Sequence, residues 1–366
     1  MATPILSLAF SVLTITFTIS SPTRPDLLIP QTAILASTAV SFSTSGQLPD
    51  PWDSTWALMM AVWLSHSTSI LWIEDWHFWK EVNPSPKNEP ISIWKIWNNP
   101  RLISTPLQVI KPASTQSLLT FTTYRLAKAA AYLFIYIFIL PLTFSPSILR
   151  VQLDDFSAVH TTYFRRINQV TYHETLIRII WTFLWALGPY LTLETAHALF
   201  SILFVVVLRT DEPEEWPPLF GSISEAYNLR RFWGVFWHRL IARPYSNFGR
   251  IVGKRMFGGK TKGLVVAFVV FGLSGLAHAA TAWLFGDNHW KLDILWFLEC
   301  FVGGAVEAVV LGLMRRAFMV IGQEQLWLAI KRSAVARLLG YCWVFLFFFW
   351  SVPKWQYPET ALCDTG

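Results

Sequence analysis

Charged residues are scarce in this chain of 366 residues. Asp, Glu, Lys and Arg make up 14% of it, against about 25% in a typical soluble domain. Hydrophobic residues make up 53%, with 28 Phe and 20 Trp, and the mean hydropathy is +0.41. This balance excludes an ordinary soluble domain and predicts an all-α, polytopic membrane protein.

Cysteine is scarce as well, with three residues. Cys300 and Cys342 lie within apolar segments, and with Cys363 they form no paired framework for disulfides. The acidic pair Asp154-Asp155 has no second acidic cluster at a recognisable spacing, so we expect no bound metal and no Mg²⁺-dependent prenyl transfer. Glu194-x-x-His197 is expected to be a pair of satisfied polar groups in a helix bundle.

Complete phosphate-binding and nucleophile motifs are also missing. Gly259-Lys260-Thr261 has the end of a P-loop, but Lys254 stands where the opening glycine belongs. Neither a Ser-centred elbow nor a well-placed Cys indicates a covalent intermediate. The net charge is +6, yet the basic residues cluster between apolar segments and no nucleic-acid-binding module is visible, so we expect no nucleic-acid partner.

Apolar segments predict about eight or nine membrane-spanning helices. The stretch from Leu176 to Leu208 is too long for one span of about 20 residues, and Gly188-Pro189 interrupts it, so we expect two helices there. The tryptophan-rich segment 76–117 is expected to lie along the membrane interface. We expect a single domain over residues 1–366. The other predicted spans are 5–19, 27–43, 56–73, 129–144, 264–285, 292–314 and 336–352.

Basic residues set the expected orientation of these spans. Two basic segments, residues 230–262 and 315–337, flank the pair of spans joined by the turn from Gly286 to Lys291, which has one lysine. By the positive-inside rule we expect both basic segments to be cytosolic loops and the C-terminus to be lumenal.

Residues 229–241 are predicted to form one amphipathic helix, at about 100° per residue. It would lie in the membrane plane or dip into it as a re-entrant helix. An interfacial anchor with no chemical role fits the same periodicity, so the pattern alone does not make His238 catalytic. The apolar face has Leu229, Phe232, Trp233, Phe236, Trp237 and Leu240, and the other face has Arg231, Gly234 and His238.

His278 falls deep within the predicted span 264–285. It lies fourteen residues after Leu264, roughly 21 Å at about 1.5 Å per residue, where an ionisable side chain is costly and functional by default. Ser274 lies one turn earlier, close enough to share a hydrogen bond, and Glu299 falls at a similar depth on the next, antiparallel span. A carboxylate there can orient the imidazole or raise its basicity. The alternative is a buried His–Glu pair that only joins two helices.

Two motifs resemble those of a known enzyme family. Phe232-Trp233-Gly234-x-x-Trp237-His238 is followed, on a later span, by Ser274-Gly275-x-x-His278. Together they resemble the wax-synthase-like branch of the membrane-bound O-acyltransferases, over a motif core of residues 224–283. Val235-Phe236 stands where family members often have two basic residues. In size the chain resembles fungal members that acetylate terpenoid or meroterpenoid alcohols, whereas plant members esterify long-chain alcohols.

The resemblance implies roles for these residues. His278 corresponds to the catalytic base, and His238, directly after the supporting Trp237, to the other polar group of the active site. No bound cofactor is implied; the co-substrate is an acyl-CoA, expected to be acetyl-CoA. The acceptor is a lipophilic alcohol delivered through the lipid bilayer, and the enzyme is expected in the endoplasmic reticulum. The residues expected to pair with the coenzyme A phosphates are Arg231, Arg239, Arg243, Arg250 and Arg255.

Other functions remain open at this point. One alternative is a long-chain wax ester synthase. A membrane-embedded terpene cyclase or isomerase would use a buried carboxylate such as Glu299 or Glu307 as its acid and would need no thioester. A transporter would use the His–Glu pair as a proton relay, and its flux would survive loss of His238.

Overall fold

The structure is a computed structural model, and it describes residues 2–23, 25–49, 52–76, 93–103, 116–143, 149–258 and 263–360. Within these ranges every regular element is helical and no β-strand occurs. The α-helices are α1 (Ala2–Ser20), α2 (Leu28–Ser43), α3 (Trp52–Thr68), α4 (Ile93–Trp97), α5 (Leu118–Phe134), α6 (Leu140–Thr143), α7 (Tyr172–Ile202), α8 (Leu229–Arg231), α9 (Ala242–Phe257), α10 (Gly263–Leu284), α11 (Lys291–Val320), α12 (Glu324–Arg332) and α13 (Ala334–Thr360).

Four π-helical turns occur in the described chain, at Ser69–Ile73, Ile135–Ile139, Leu203–Val207 and Phe232–Phe236. Three of them continue long apolar helices, whereas Phe232–Phe236 lies within the first motif. Such turns are rare and are often found at functional sites.

Seven helical segments of the described chain are long and apolar enough to cross a membrane. A further apolar helix, α2, has 16 residues, which is about 24 Å at 1.5 Å per residue. The predicted all-α, multi-pass membrane architecture is confirmed. The seven segments are Ala2–Ser20, Trp52–Ile73, Leu118–Thr143, Tyr172–Val207, Gly263–Leu284, Lys291–Val320 and Ala334–Pro358.

The prediction of two helices between Leu176 and Leu208 is wrong. The chain there forms one helical segment, α7 followed by a π-helical turn, with Pro189 inside α7. A proline removes one backbone donor, but membrane helices tolerate it because neighbouring groups can satisfy the freed carbonyl. With one segment in place of two, the described residues contain seven segments long enough to cross a membrane and the shorter apolar helix α2.

The single amphipathic helix predicted over residues 229–241 is also not formed. α8 and its π-helical turn carry the chain from Leu229 to Phe236, and Trp237 then has extended backbone, with φ −63° and ψ 153°. The helix therefore ends before His238. The prediction failed because it assumed a regular period of 3.6 residues, which does not reveal a π-helical turn or a break in the backbone.

The basic segment after His238, expected to be a loop, contains the helix α9, which has 16 residues. Its exposed side includes Arg250 and Lys254, and its buried side includes Tyr245 and Gly249. Gly249 allows close packing, since a Cβ there would lie 2.9 Å from the Cα of Val266 in α10. The lysines Lys260 and Lys262 of the expected loop lie outside the described residues.

The chain divides into two compact units, each discontinuous in sequence. The first comprises Met1–Lys111 and Arg239–Leu298, and the second comprises Pro112–His238 and Glu299–Gly366. The expectation of a single domain over residues 1–366 stays a prediction.

The first unit has an apolar core in which α1, α2 and α3 take part. Ile15, Ile34 and Ile70 are fully buried there. Most of the segment 76–117, expected at the membrane interface, lies outside the described residues. Within its described part, Ile96 of α4 is 1% exposed and belongs to the same core.

A buried arginine joins α7 to α13 in the second unit. Arg178 is 1% exposed, and its Nε donates to the carbonyl of Phe349 at 2.8 Å. In an α-helix that carbonyl would accept from the residue four positions later, which is Pro353 and has no N–H. Arg178 therefore supplies the hydrogen bond that the proline cannot. Its Nη1 donates to the carbonyl of His160 at 2.7 Å.

Candidate active site

The first motif starts at a helix terminus that two side chains hold. The Asn228 side chain accepts from the N–H of Arg231 at 2.8 Å, and a Glu307 oxygen accepts from the N–H of Leu229 at 2.8 Å. Trp343 donates its indole N–H to the same Glu307 oxygen at 3.0 Å. These acceptors satisfy N–H groups that have no partner inside the helix. Glu307, which the cyclase alternative treats as an acid, thus fixes the start of the motif.

The motif packs into an aromatic cluster around Trp185 of α7. The ring centroids of Trp185 and Trp237 lie 5.4 Å apart at an interplanar angle of 30°. Phe348 packs against both Trp185, at 4.7 Å, and Phe232, at 4.8 Å. Trp237 is 9% exposed. Aromatic pairs at such separations are each worth about 0.5–1.5 kcal/mol beyond area burial, so the cluster fixes Trp237 and the direction in which the chain leaves it.

His238 lies at the edge of this cluster and is half-buried. Its ring centroid is 5.6 Å from that of Phe220, with the rings nearly perpendicular at 86°, and 5.6 Å from that of Trp237. The predicted location of His238 on the polar face of a helix is therefore wrong, because the helix has already ended. The imidazole instead has aromatic rings on two sides.

His278 belongs to the first unit and lies inside the spanning helix α10. Its ring packs against Phe297 of α11, with 4.9 Å between the centroids and an angle of 33°. Gly275 permits this proximity, since a Cβ there would lie 3.0 Å from the Cα of Ile294 and 3.2 Å from the Cβ of Phe297. The Ser274 hydroxyl donates to the carbonyl of Val270 at 2.8 Å.

Glu299 belongs to the second unit and interacts electrostatically with Lys354 of α13. The Lys354 ammonium lies 3.5 Å from the centroid of the Trp350 ring. The pairing of Glu299 with His278 stays a prediction. Lys354 belongs to a later helix, α13, so the register of α10 and α11 alone could not predict this cation near Glu299.

Arg243 lies in a buried polar cluster of the first unit. It is 6% exposed and forms an ion pair with Glu74. It also donates to the carbonyl of Pro100 at 3.0 Å and to Nδ1 of His66. Burial lowers the pKa of the guanidinium, and Glu74 opposes that shift. These contacts join α9 to the rest of the first unit, and the contact of Arg243 with phosphate stays a prediction.

The His66 tautomer follows from the same cluster. A guanidinium only donates hydrogen bonds, so Nδ1 of His66 must accept from Arg243. Nε2 then carries the proton and donates to the carbonyl of Ile96 at 2.9 Å. The neutral imidazole thus joins α3, α4 and α9.

The other four arginines of the expected phosphate site differ in exposure. Arg250 and Arg255 of α9 are exposed, and Arg239 is half-buried. Arg250 donates to the side-chain oxygen of Asn247 at 2.5 Å. Arg231 forms an ion pair with Glu225.

A comparison of the sequence with family models supports the resemblance that the two motifs indicate. Residues 216–299 match the sequence model of the Membrane bound O-acyl transferase family. The resemblance to this family is confirmed. The matched segment contains both motif histidines, the helices α8, α9 and α10, and the start of α11.

The curated relatives of the chain include several fungal acetyltransferases. The acetyltransferase nanB of Aspergillus nanangensis is 35% identical over 160 residues, which cover 42% of this chain and 37% of that protein. The acetyltransferase aurG of Calcarisporium arbuscula is 29% identical over 213 residues, covering 55% and 49%. The acetyltransferase eriL of Hericium erinaceus is 27% identical over 188 residues, covering 50% and 46%. The match thus spans less than half of each of these relatives, and no solved structure matches the chain.

Proposed function

We propose that this chain is an acyl-CoA-dependent O-acyltransferase that acetylates a hydroxyl of a lipophilic alcohol. The observation that carries the proposal is the family match over residues 216–299, which includes His238 and His278. The relatives named acetyltransferases favour acetyl as the transferred group. The multi-pass membrane architecture suits an acceptor dissolved in the bilayer, and we place the enzyme in the endoplasmic reticulum.

In the proposed reaction His278 is the general base. Its imidazole takes the proton of the acceptor hydroxyl while the oxygen attacks the thioester carbonyl. Histidine is suited to removing this proton near neutral pH. The tetrahedral intermediate then collapses, the carbon–sulfur bond breaks, and the imidazolium returns the proton to the departing thiolate. The products are the ester and free coenzyme A. No acyl-enzyme is needed.

We assign His238 to the oxygen of the thioester carbonyl. A donor directed at the oxygen where negative charge develops stabilises the intermediate. The aromatic rings of Phe220 and Trp237 around His238 limit the motion of its imidazole. A fixed donor is worth more than a mobile one, because the protein does not reorganise during the reaction.

The proposed donor site uses the exposed arginines of α9. Arg250 and Arg255 are exposed on the helix directly before α10, where they can pair with phosphate oxygens. Arg239 and Arg231 remain proposed members of this site. The buried ion pair of Arg243 with Glu74 supports a structural role for Arg243.

The deciding experiment is incubation of microsomes containing the chain with labelled acetyl-CoA and a panel of terpenoid alcohols. Transfer of label to an alcohol, and its absence in microsomes without the chain, supports the proposal. Transfer only from long-chain donors to long-chain alcohols would indicate a wax ester synthase. A product formed from a polyene without any thioester would indicate a cyclase, and would overturn the proposal.

A further inference from the structure

A short segment of the second unit, residues 216–221, lies against the first motif; we name it the 216–221 strap. The N–H of Gly221 donates to the carbonyl of Phe236 at 2.8 Å. A Cβ at Gly221 would overlap the carbonyl oxygen of Val235. The backbone of the strap therefore contacts the π-helical turn at a separation that only glycine permits.

Phe220 connects the strap to His238. Its side chain is 5% exposed, and its ring centroid lies 5.2 Å from that of Trp237 and 5.6 Å from that of His238. Both contacts are nearly perpendicular, at 89° and 86°. Tyr190 packs on the same ring at 4.7 Å. Phe220 therefore limits the space in which the imidazole can turn.

A buried ion pair anchors the backbone of Phe220. One oxygen of Glu194, which is 1% exposed, accepts from the N–H of Phe220 at 3.0 Å. The other oxygen accepts from the ammonium of Lys128 on α5. The expectation that Glu194 is a satisfied polar group of a bundle is confirmed, and one of its two partners belongs to the strap.

A second pair of side chains anchors the other end of the strap. Arg125 of α5 donates to the carbonyl of Trp216 and bonds Nδ1 of His197 at 3.2 Å. The rings of His197 and Trp216 pack at 5.2 Å. Polar side chains of two spans thus hold both ends of the strap.

We propose that Glu194 and Phe220 are positioning residues for His238. The Lys128–Glu194 pair fixes the backbone of Phe220, and the Phe220 ring fixes the imidazole. The inference rests on the proposed function, since the role of His238 in acyl transfer is itself proposed. Apolar residues in place of a buried ion pair are often neutral or stabilising, so orientation of the strap explains the pair better than stability does.

Phe220→Leu tests the contact with His238, and Phe156→Leu is its matched control. Phe156 is 4% exposed, belongs to the same unit, and packs against Trp181 and Tyr357. Misplaced catalytic groups lower turnover steeply, so we expect kcat to fall about tenfold for Phe220→Leu, with the KM for acetyl-CoA within about twofold. The control should lose a similar amount of thermal stability and keep its kcat. Equal kcat values for the two variants would overturn the inference.

A second measurement needs no activity. Diethylpyrocarbonate modifies accessible imidazoles, and mass spectrometry resolves each site. We expect His238 to react several-fold faster in Phe220→Leu than in the wild type, since the ring that limits it is smaller. His173, whose side chain is 43% exposed, is the internal reference. An unchanged rate at His238 would contradict the inference even in a protein with no transferase activity.

Two double variants isolate the anchor. Glu194→Gln with Lys128→Met removes both charges and keeps an oxygen that can accept from Phe220, whereas Glu194→Leu with Lys128→Met removes the acceptor too. We expect the first to keep most of kcat and the second to match Phe220→Leu. Equal kcat values for both double variants would contradict the anchor. If the wild type transfers no acyl group, the proposed function fails, and the labelling alone decides the positioning of His238.

Discussion

His278 and His238 differ in what holds them. His278 lies within a continuous helix of 22 residues, so its backbone position follows from regular helical geometry. His238 follows a π-helical turn, and the packing of Trp237, Phe220 and the aromatic cluster around Trp185 fixes its surroundings. Substitutions near His278 therefore test chemistry and helix packing, whereas substitutions near His238 test many side-chain contacts at once.

The largest loss of activity is expected at His278. Because His278 lies in a regular helix, a substitution there should remove the catalytic group without changing the backbone. His278→Ala should lower kcat by about 10²–10⁴, the usual contribution of a positioned general base, and should leave the protein folded and inserted. Leu276→Ala, on the same helix with a half-exposed side chain, is the control and should stay within about twofold. Near-normal turnover of His278→Ala in the microsomal assay would remove it from the mechanism.

A smaller effect is expected at His238, and it should depend on the replacement. Loss of one donor to a developing oxyanion lowers kcat by about 10²–10³, which is our expectation for His238→Ala. His238→Asn should retain more activity, because an amide N–H can still donate. Steady-state kinetics of the two variants makes the comparison. Equal losses for Ala and Asn would mean that His238 acts other than as a donor.

The packing beside His278 gives a third comparison, within α10 itself. Gly275→Ala places a methyl group 3.0 Å from the Ile294 Cα, and overpacking of this kind costs about 1–3 kcal/mol. Gly272→Ala has nothing within 4 Å of its new Cβ and should be neutral or slightly stabilising, since alanine favours a helix. Thermal unfolding in detergent measures both. Equal stability of the two variants would show that the close approach at Gly275 is not needed.

The smallest effect on kinetics is expected for the arginines, where the exposed Arg250 and Arg255 are compared with the buried Arg243. Arg250→Gln with Arg255→Gln should raise the KM for acetyl-CoA about three- to tenfold, because each change removes a phosphate-pairing charge. Arg243→Gln should instead lower thermal stability with donor affinity retained, since it leaves the Glu74 carboxylate, whose side chain is 12% exposed, without its cation. A fall in kcat alone for the double variant would argue against a donor site on α9.

The spans around His278 could be predicted closely from the sequence. The predicted spans 264–285 and 292–314 begin within one residue of α10 and α11, because apolar runs bounded by polar residues determine membrane insertion. Gly275, within the predicted span 264–285, makes a close contact with Ile294. Because regular helices follow from local composition, these spans could be predicted without knowledge of contacts between distant residues.

The surroundings of His238 could not be predicted in this way. The N–H of Leu229 bonds Glu307, 78 positions later, and periodicity within one helix contains no information on such a pair. The π-helical turn at Phe232–Phe236 breaks the 3.6-residue period that the prediction assumed. One signal was present in the sequence: Gly221 lies shortly before the motif, and glycine is often found where the backbone makes a close approach.

The hydrogen bond from Arg178 to the Phe349 carbonyl has a consequence for biogenesis. The two residues are 171 positions apart, so α7 is synthesised and inserted long before its acceptor on α13 exists. Until α13 arrives, a guanidinium within a span lacks this acceptor, which is unfavourable in lipid. When α13 packs against α7, one hydrogen bond gives Arg178 its acceptor and gives the Phe349 carbonyl the donor that Pro353 lacks. We therefore expect α7 and α13 to reach their final structure in the same step of folding. A nascent chain that stops before Phe349 should be a preferred substrate for membrane quality control.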